Sequence, residues 1–254
     1  ALPISSKRPS QWILQKLNCP ESFTHPFKLY EIAKARGMDY VTISDHNTIA
    51  GALEIAHLRD TFVSEEVTTY FPEDGCKLHV VALNITESQH ADLTKIRRNV
   101  YDLVGYLNRS GIHHILAHPF YDMNHRLTIE HFEKLLLLFE NFELNGSRDG
   151  YQNEVLAAII KGITRHDIEV LADKHNIAPF GKNPWQKHLT GGSDDHSSLN
   201  IARMHTFVPG AGSLTEFFDG LKNGRAEVQG KAATPKTMAH NLYGIAYQFY
   251  KSKF

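Results

Sequence analysis

The sequence predicts an α/β fold in which βα units surround a parallel sheet or barrel. Short runs of β-branched and aromatic residues, typical of buried strands, alternate along almost the whole chain with longer amphipathic segments. No repeat, low-complexity run or linker interrupts this alternation, so the 254 residues are interpreted as one domain, 1–254. In addition, the polar residues suited to chemistry stand at the ends of successive predicted strands.

The first predicted elements are a helix, a strand and a second helix. Residues 27–36 carry apolar side chains at helical spacing, and Gly37 suits the position just after the helix. Residues 39–44 are β-branched and aromatic, which predicts a buried strand. After a short polar loop, residues 49–58 return to helical spacing.

Two extended segments and a long helix come next. Residues 61–70 and 77–83 have strand composition, and the turn residues at 73–75 separate them. The stretch 89–109 is predicted to be one helix, closed by Gly111.

The middle of the chain repeats the strand–helix pattern. Residues 112–117 predict a strand that must stop before Pro119, because proline cannot continue a central ladder. Residues 128–139 predict a helix with Thr128 as N-cap, and 141–146 predict the next strand.

The C-terminal part contains three further helical segments and two short strands. The last helix, about 235–254, is amphipathic and is expected to pack on the barrel or to lead to a further domain. In chain order these elements are a helix at 151–176 with a break near 162–164, a strand with its loop at 188–197, a strand at 204–208, a helix at 213–224 and a helix at 234–254.

Composition excludes several classes of protein. With 42% hydrophobic and 22% charged residues the chain is an ordinary globular sequence, and a net charge of −1 offers no bulk attraction to nucleic acid or membrane. No apolar run approaches the roughly 20 residues needed to span a bilayer. Two cysteines are too few for a disulfide framework, so a cytoplasmic location is expected. The unusual feature is the 16 histidines.

Histidines and carboxylates cluster at the predicted strand ends. Because the carboxyl ends of strands in βα barrels meet on one face, distant positions can build one site. The residues concerned are Asp45, His46, Glu66, His79, His118, Glu143, Asn145, Asp194 and His196.

A mixture of imidazoles and carboxylates suits zinc, manganese or iron. Four histidines and two carboxylates exceed one tetrahedral shell, which indicates two or more cations, and close-spaced cations are suited to phosphoester hydrolysis. Structural roles compete with this interpretation: a lone histidine beside a strand is more often simply hydrogen-bonded, and Asp45 could cap the following helix. Glu66 is harder to explain structurally, since burying an unpaired carboxylate costs several kcal/mol.

Further polar residues are candidates for supporting roles. Asp195 is either a catalytic acid or a solvated loop residue, and His205 is a candidate peripheral acid. Arg148 and Arg203 could hold a substrate phosphate through a bidentate fork, although a surface position is the favoured interpretation for each. Asp45, Glu143 and Asn145 are candidates to orient the metal ligands through hydrogen bonds.

Several segments together resemble the PHP (polymerase and histidinol phosphatase) family. TISDHN at 42–47, AHPF at 117–120 and GSDDHS at 192–197 are similar to its second, third and fourth motifs. The resemblance implies a distorted seven-stranded (β/α)7 TIM-like barrel with two or three divalent metals and hydrolysis of a small phosphorylated substrate. It implies as metal ligands His46, Glu66, His79, His118, Asp194 and His196. The stretch 127–149 is also similar to PHP domains that precede a C-terminal glycosyltransferase domain.

One motif of the family is missing. The family's first motif, H-x-H, supplies two ligands from the first strand, and this chain contains no H-x-H. Either the sequence lacks its true start, which is the favoured explanation, or part of the metal site has been lost. A metal-dependent phosphoesterase is therefore predicted, with a non-catalytic PHP module that regulates or scaffolds an attached glycosyltransferase as the alternative. A barrel hydrolase that cleaves C–N bonds fits less well, because no lysine at a strand end is suited to bridging two metals.

Overall fold

A computed structural model of the chain describes residues 24–239 and residue 243. The helices and strands in these ranges alternate largely as the sequence predicts. In chain order they are α1 (Pro26–Ala35), α2 (Ala50–Ile55), β1 (Ser64–Tyr70), β2 (Lys77–Leu83), α3 (Glu87–Ile96), α4 (Val100–Arg109), β3 (His114–Leu116), α5 (Ile129–Leu138), β4 (Asn141–Asn145), α6 (Gly150–Gly162), α7 (Arg165–His175), β5 (His188–Gly192), β6 (Met204–Phe207), α8 (Leu214–Lys222) and β7 (Glu227–Gly230). The predicted helix 234–254 starts within the described residues, but most of it lies outside them.

Several helix ends follow local signals in the sequence. Gly37, just after α1, has φ of +86°, in the left-handed region that favours glycine. The Thr128 hydroxyl caps α5, as predicted, by accepting a hydrogen bond from the backbone N–H of His131. The predicted break after α6 is present as well, and Thr164 caps α7 beyond it.

Five strands form one mixed sheet in the order β1-β2-β3-β4-β5. β1, β2 and β3 are antiparallel neighbours, whereas β3, β4 and β5 run parallel. The β1–β2 hairpin turns at Gly75, where φ is +75°, and the Cys76 N–H donates to the Asp74 carboxylate. Helices connect the parallel strands, as parallel pairing requires. The α/β class with parallel strands is thus confirmed.

The predicted strand 39–44 is not a continuous strand. Two isolated parallel bridges instead pair Val41 with Thr61 and His46 with Glu66. The segment therefore runs along the outer edge of the sheet, beside β1. This placement brings His46 next to a strand that carries another predicted ligand.

A second, two-stranded sheet lies beside β5. β6 and β7 pair antiparallel, and β7 is an element that the sequence did not predict. The Thr206 hydroxyl donates to the Gly191 carbonyl at 3.0 Å, and the Gly191 N–H donates back to that hydroxyl at 2.9 Å. Within residues 24–239 the ladders form these two sheets and not one closed ring, so the seven-stranded barrel stays a prediction.

The main hydrophobic core lies between the five-stranded sheet and the helices that cover it. Val67, Val80, Leu116 and Phe142 contribute from the sheet, and all are at most 1% exposed. Full burial of each such side chain stabilises the fold by about 1.5–3 kcal/mol, which gives the strands a rigid support. None of the helices in the described part is long and apolar enough to cross a membrane.

The predicted helix 89–109 is in fact two helices, α3 and α4. The Asn99 side chain accepts a hydrogen bond from the Tyr101 N–H at 2.9 Å and caps α4. Asn99 lies in a polar stretch that also fits a continuous helix, so its role as a cap was not visible in the hydrophobic pattern.

Candidate metal centre

Glu66 and three histidines converge on one face of the sheet. The Glu66 Oε1 atom lies 2.5 Å from His79 Nδ1, 3.1 Å from His118 Nε2 and 3.8 Å from His46 Nδ1. The two nitrogens His79 Nδ1 and His118 Nε2 are themselves 3.3 Å apart. Four of the predicted ligands, from four separate segments, thus share one centre.

Strand register places Glu66 and His79 side by side. His79 is opposite Thr68 in the antiparallel β1–β2 pair, and Thr68 is two residues from Glu66 on the same face. Glu66 is 8% exposed and His79 is 6% exposed. A carboxylate buried to this degree requires charged or hydrogen-bonding partners, and here the imidazoles provide them.

Asn47 fixes the loop that presents His46. Its backbone N–H donates to the Glu66 carbonyl at 3.0 Å. Its side-chain amide donates to the Thr68 hydroxyl at 3.0 Å, and its side-chain oxygen accepts from the Thr68 N–H at 2.8 Å. Three hydrogen bonds therefore hold the loop against β1.

Three residues of the site have backbone conformations that side chains rarely adopt. The φ angles are +56° at Asn47, +30° at His118 and +43° at Asp194. The His118 backbone is held by a hydrogen bond from its N–H to Glu143 Oε2 at 2.9 Å. Strained backbone of this kind concentrates at functional sites, where the surrounding structure enforces it.

Asp194 lies at the centre of a second polar group. Its Oδ2 atom accepts hydrogen bonds from Asn145 Nδ2 at 3.1 Å and Arg148 Nη2 at 3.2 Å. The Ser147 hydroxyl donates to the Asp194 carbonyl at 2.6 Å. His196 Nδ1 lies 3.5 Å from Asp194 Oδ1. The last two predicted ligands are therefore adjacent.

The two groups adjoin each other. The rings of His46 and His196 have centroids 6.5 Å apart. Glu143 Oε2 accepts hydrogen bonds both from the His118 N–H and from Asn145 Nδ2, at 2.9 and 3.0 Å. All six predicted ligands thus lie in one continuous region, and Glu143 bridges its two halves.

Electrostatics favour the metal-binding forms of Glu66 and His79. Burial alone would raise the pKa of Glu66, but hydrogen bonds with His118 and His79 hold it well below its usual value. Burial lowers the pKa of His79 to about 4, although Glu66 opposes this. At neutral pH the pair is therefore a carboxylate beside a neutral imidazole, the forms that coordinate cations.

The two buried carboxylates of the other half differ in charge. Burial raises the pKa of Glu143 to about 7. Burial acts in the same direction on Asp194, but the Arg148 guanidinium keeps the pKa of Asp194 below its ordinary value. The site therefore favours the ionised form of Asp194, whereas burial shifts Glu143 toward its protonated form.

The residues of the first group fit a divalent cation. Ligand atoms of His46, Glu66 and His79 all lie within 4.8 Å of one another. His79 Nε2 is buried and has no hydrogen-bond partner among the described residues. His79 Nδ1 lies against the Glu66 carboxylate, and a group of two imidazoles and one carboxylate with a buried, unpartnered Nε2 is the kind of donor set expected for zinc, manganese or iron.

A cavity of about 900 Å³ extends from this region. Asp45, Asp195 and His205, all predicted from the sequence, line it together with several of the ligands. Asp195 Oδ1 accepts a hydrogen bond from the Ser197 hydroxyl at 2.8 Å, and its buried Oδ2 atom has no partner in the described ranges.

The two predicted arginines are placed differently. Arg203 donates from Nε and Nη2 to the Ala232 carbonyl, at 3.3 and 3.0 Å, and does not line the cavity. Arg148 reaches Asp194, and its guanidinium carbon lies 3.7 Å from the centre of the Tyr121 ring. Tyr121 was missed in the sequence, where its position directly after AHPF was the available signal.

The chain has limited sequence similarity to known proteins. No protein-family model matches the chain. A curated relative, the uncharacterized protein MJ1587 of Methanocaldococcus jannaschii, is 40% identical over 52 residues, which is 20% of this chain and 30% of that protein. The chain therefore matches less than a third of the length of this relative.

Two solved structures share the fold. PsfC from Pseudomonas syringae PB-5123 superposes with a TM-score of 0.53 and 12% identity, covering 92% of this chain and 94% of PsfC. A two-domain protein from Bacteroides vulgatus ATCC 8482, described as containing a predicted PHP-like metal-dependent phosphoesterase, gives a TM-score of 0.51 and 13% identity. That match covers 88% of this chain and 65% of the two-domain protein. At such low identity the similarity shows a common fold.

Proposed function

We propose that this chain is a metal-dependent hydrolase of the PHP type that cleaves phosphate esters. The observation that carries the proposal is the convergence of three imidazoles on the buried Glu66 carboxylate, with Asp194 and His196 adjacent. The fold shared with a protein described as containing a PHP-like metal-dependent phosphoesterase supports it.

The ligands in this proposal are the six predicted residues His46, Glu66, His79, His118, Asp194 and His196. Two or three divalent cations, zinc, manganese or iron, would neutralise the phosphate oxygens and activate water. Around them, Glu143 and Asn145 orient His118 and Asp194 through hydrogen bonds. Asp195 and His205 line the adjoining cavity, where either side chain could deliver a proton to the leaving oxygen.

We further propose that the substrate is a small phosphorylated molecule and that the complete fold is a seven-stranded PHP barrel. A C-terminal glycosyltransferase domain and a cytoplasmic location remain predictions from the sequence.

Hydrolysis of p-nitrophenyl phosphate by the metal-loaded protein tests the proposal. We expect His118→Ala and Asp194→Asn to reduce turnover by more than about 100-fold, since partners that merely orient a ligand already contribute about 10- to 100-fold. His166→Ala, on an exposed position of α7, is the matched control and should retain full activity. Turnover that survives both ligand changes and a chelator would refute the proposal. Metal binding without phosphoesterase activity would favour either the non-catalytic scaffold or a hydrolase of C–N bonds. Hydrolysis of an amide substrate would identify the second of these alternatives.

A further inference from the structure

Arg148 lies between a candidate metal ligand and an aromatic ring. Its Nη2 atom lies 3.2 Å from Asp194 Oδ2, and its guanidinium carbon lies 3.7 Å from the centre of the Tyr121 ring. The Arg148 side chain is only 14% exposed and the Asp194 side chain 11%. The guanidinium is therefore held on one side by charge and on the other by a π face.

Tyr121 connects this arginine to another candidate ligand. Its ring meets the His118 ring edge to face, with centroids 5.5 Å apart and an interplanar angle of 90°. Its backbone N–H donates to the His118 carbonyl at 2.8 Å. His118, Tyr121, Arg148 and Asp194 thus form an unbroken chain of contacts between the loops that follow β3, β4 and β5.

The chemistry of arginine suits this position. A planar guanidinium can stack on a ring and pair with a carboxylate at the same time, which a lysine ammonium cannot do as well. Removing it would leave the Asp194 carboxylate buried without its charge partner, although Asn145 would still donate to it. One observation favours a contact of Arg148 with the substrate instead: its buried Nε atom has no partner among the described residues.

We propose that Tyr121 and Arg148 form a clamp that positions His118 and Asp194 for metal binding. Arg148 is then a positioning residue, a role that differs from both alternatives predicted from the sequence, a surface position and a contact with the substrate phosphate. The inference rests on the proposed function, because it takes these two residues as metal ligands.

Metal affinity separates the two roles of Arg148. Zinc affinity of the metal-free protein is measured by competition with a chromogenic chelator for wild type, Arg148→Gln, Arg148→Lys and Tyr121→Leu. We expect Arg148→Gln to weaken zinc binding by about 10- to 100-fold, the range measured for partners that orient a ligand. Arg148→Lys keeps the charge without the stacked plane and should lose less, and Tyr121→Leu should also weaken binding.

Arg165→Gln is the matched control. Arg165 also pairs with a carboxylate, Glu169 at 2.8 Å, and stacks over a ring, Trp185 at 5.2 Å, but on α7 and exposed. Its zinc affinity should equal that of wild type.

The outcomes are distinct. Unchanged zinc affinity in Arg148→Gln together with a raised KM for p-nitrophenyl phosphate would overturn the clamp and assign Arg148 to the substrate. Thermal unfolding shows whether Arg148→Gln folds. If it does not fold, Arg148→Lys and Tyr121→Leu provide the test: zinc affinities equal to that of wild type would overturn the clamp. Weaker zinc binding by these two variants would support it. If the wild-type protein binds neither zinc nor manganese nor iron, the proposed function fails, and the clamp fails with it.

Discussion

At the residue scale, the candidate centre depends on Glu66. Its carboxylate is buried on the face of β1 that also carries Ser64 and Thr68, and three imidazole nitrogens lie within 3.8 Å of one of its oxygens. A charge placed there without compensation would destabilise the fold by several kcal/mol. A divalent cation would supply that compensation, and Glu66 and the neighbouring imidazoles are the residues that would hold it.

His113 shows the opposite case, a partly buried histidine whose Nε2 atom is buried and which has no role in the site. Burial lowers the pKa of His113 from its usual 6.5 to about 4, and its Nε2 atom has no partner in the described chain. The folded state therefore favours the neutral ring. The contribution of His113 to the free energy of unfolding is therefore fully present above pH 6.5 and is lost as the pH falls toward 4.

We therefore predict that the free energy of unfolding falls by up to about 3 kcal/mol between pH 6.5 and pH 4 through His113 alone. In His113→Phe this contribution should disappear, because the replacement ring cannot take up a proton. His114, whose pKa burial also lowers, keeps its share in both proteins. Denaturant unfolding at several pH values gives the change of the free energy of unfolding with pH for wild type and for His113→Phe. The same change in both proteins would contradict this prediction.

At the scale of elements, the two sheets meet through a glycine. A Cβ atom added to Gly191 of β5 would lie 2.6 Å from the His205 carbonyl oxygen of β6, closer than real contacts allow. This close approach brings His205 and the loop that carries Asp194 to the same cavity. Gly191 is thus required by the neighbouring backbone and not by its own φ.

Gly191→Ala should accordingly destabilise the protein, because a backbone carbonyl cannot move aside as a flexible side chain can. We expect a loss of about 1–3 kcal/mol, as for other overpacked sites. Gly162→Ala is the matched control: nothing lies within 4 Å of its added Cβ at the end of α6, and alanine should be neutral or stabilising there by up to about 1 kcal/mol. Thermal unfolding of both variants checks this, and equal effects would refute the packing argument.

Local sequence signals predicted most elements, and the exceptions have physical causes. Thr128 and Gly37 mark helix ends through their own chemistry, so they could be identified from the sequence. The segment 39–44 has strand composition, but only isolated bridges join it to β1. β7 is short and largely polar, and it exists because β6 offers it a partner. Pairing of this kind is a property of the tertiary structure.

At the scale of the whole molecule, one fold brings six distant side chains to a single region. Their residue types and their places on successive extended segments could be predicted. His118, Asp194 and His196 follow strands of the parallel part of the sheet, whose carboxyl ends lie on one face, whereas Glu66 and His79 meet through the antiparallel β1–β2 register. The contacts around them could not be predicted: the stacking of Arg148 on Tyr121 and the hydrogen bonds between Asn47 and Thr68 were not expected. Those contacts depend on distances between segments, which residue spacing does not encode.

The central claim is that these side chains surround shared cations, and elemental analysis of the native protein tests it most directly. We predict at least one tightly held zinc, manganese or iron ion per chain after purification without chelators. Glu66→Gln should lose most of it while retaining a cooperative unfolding transition. A wild-type protein that is folded yet takes up no divalent metal at saturating concentration would contradict the account.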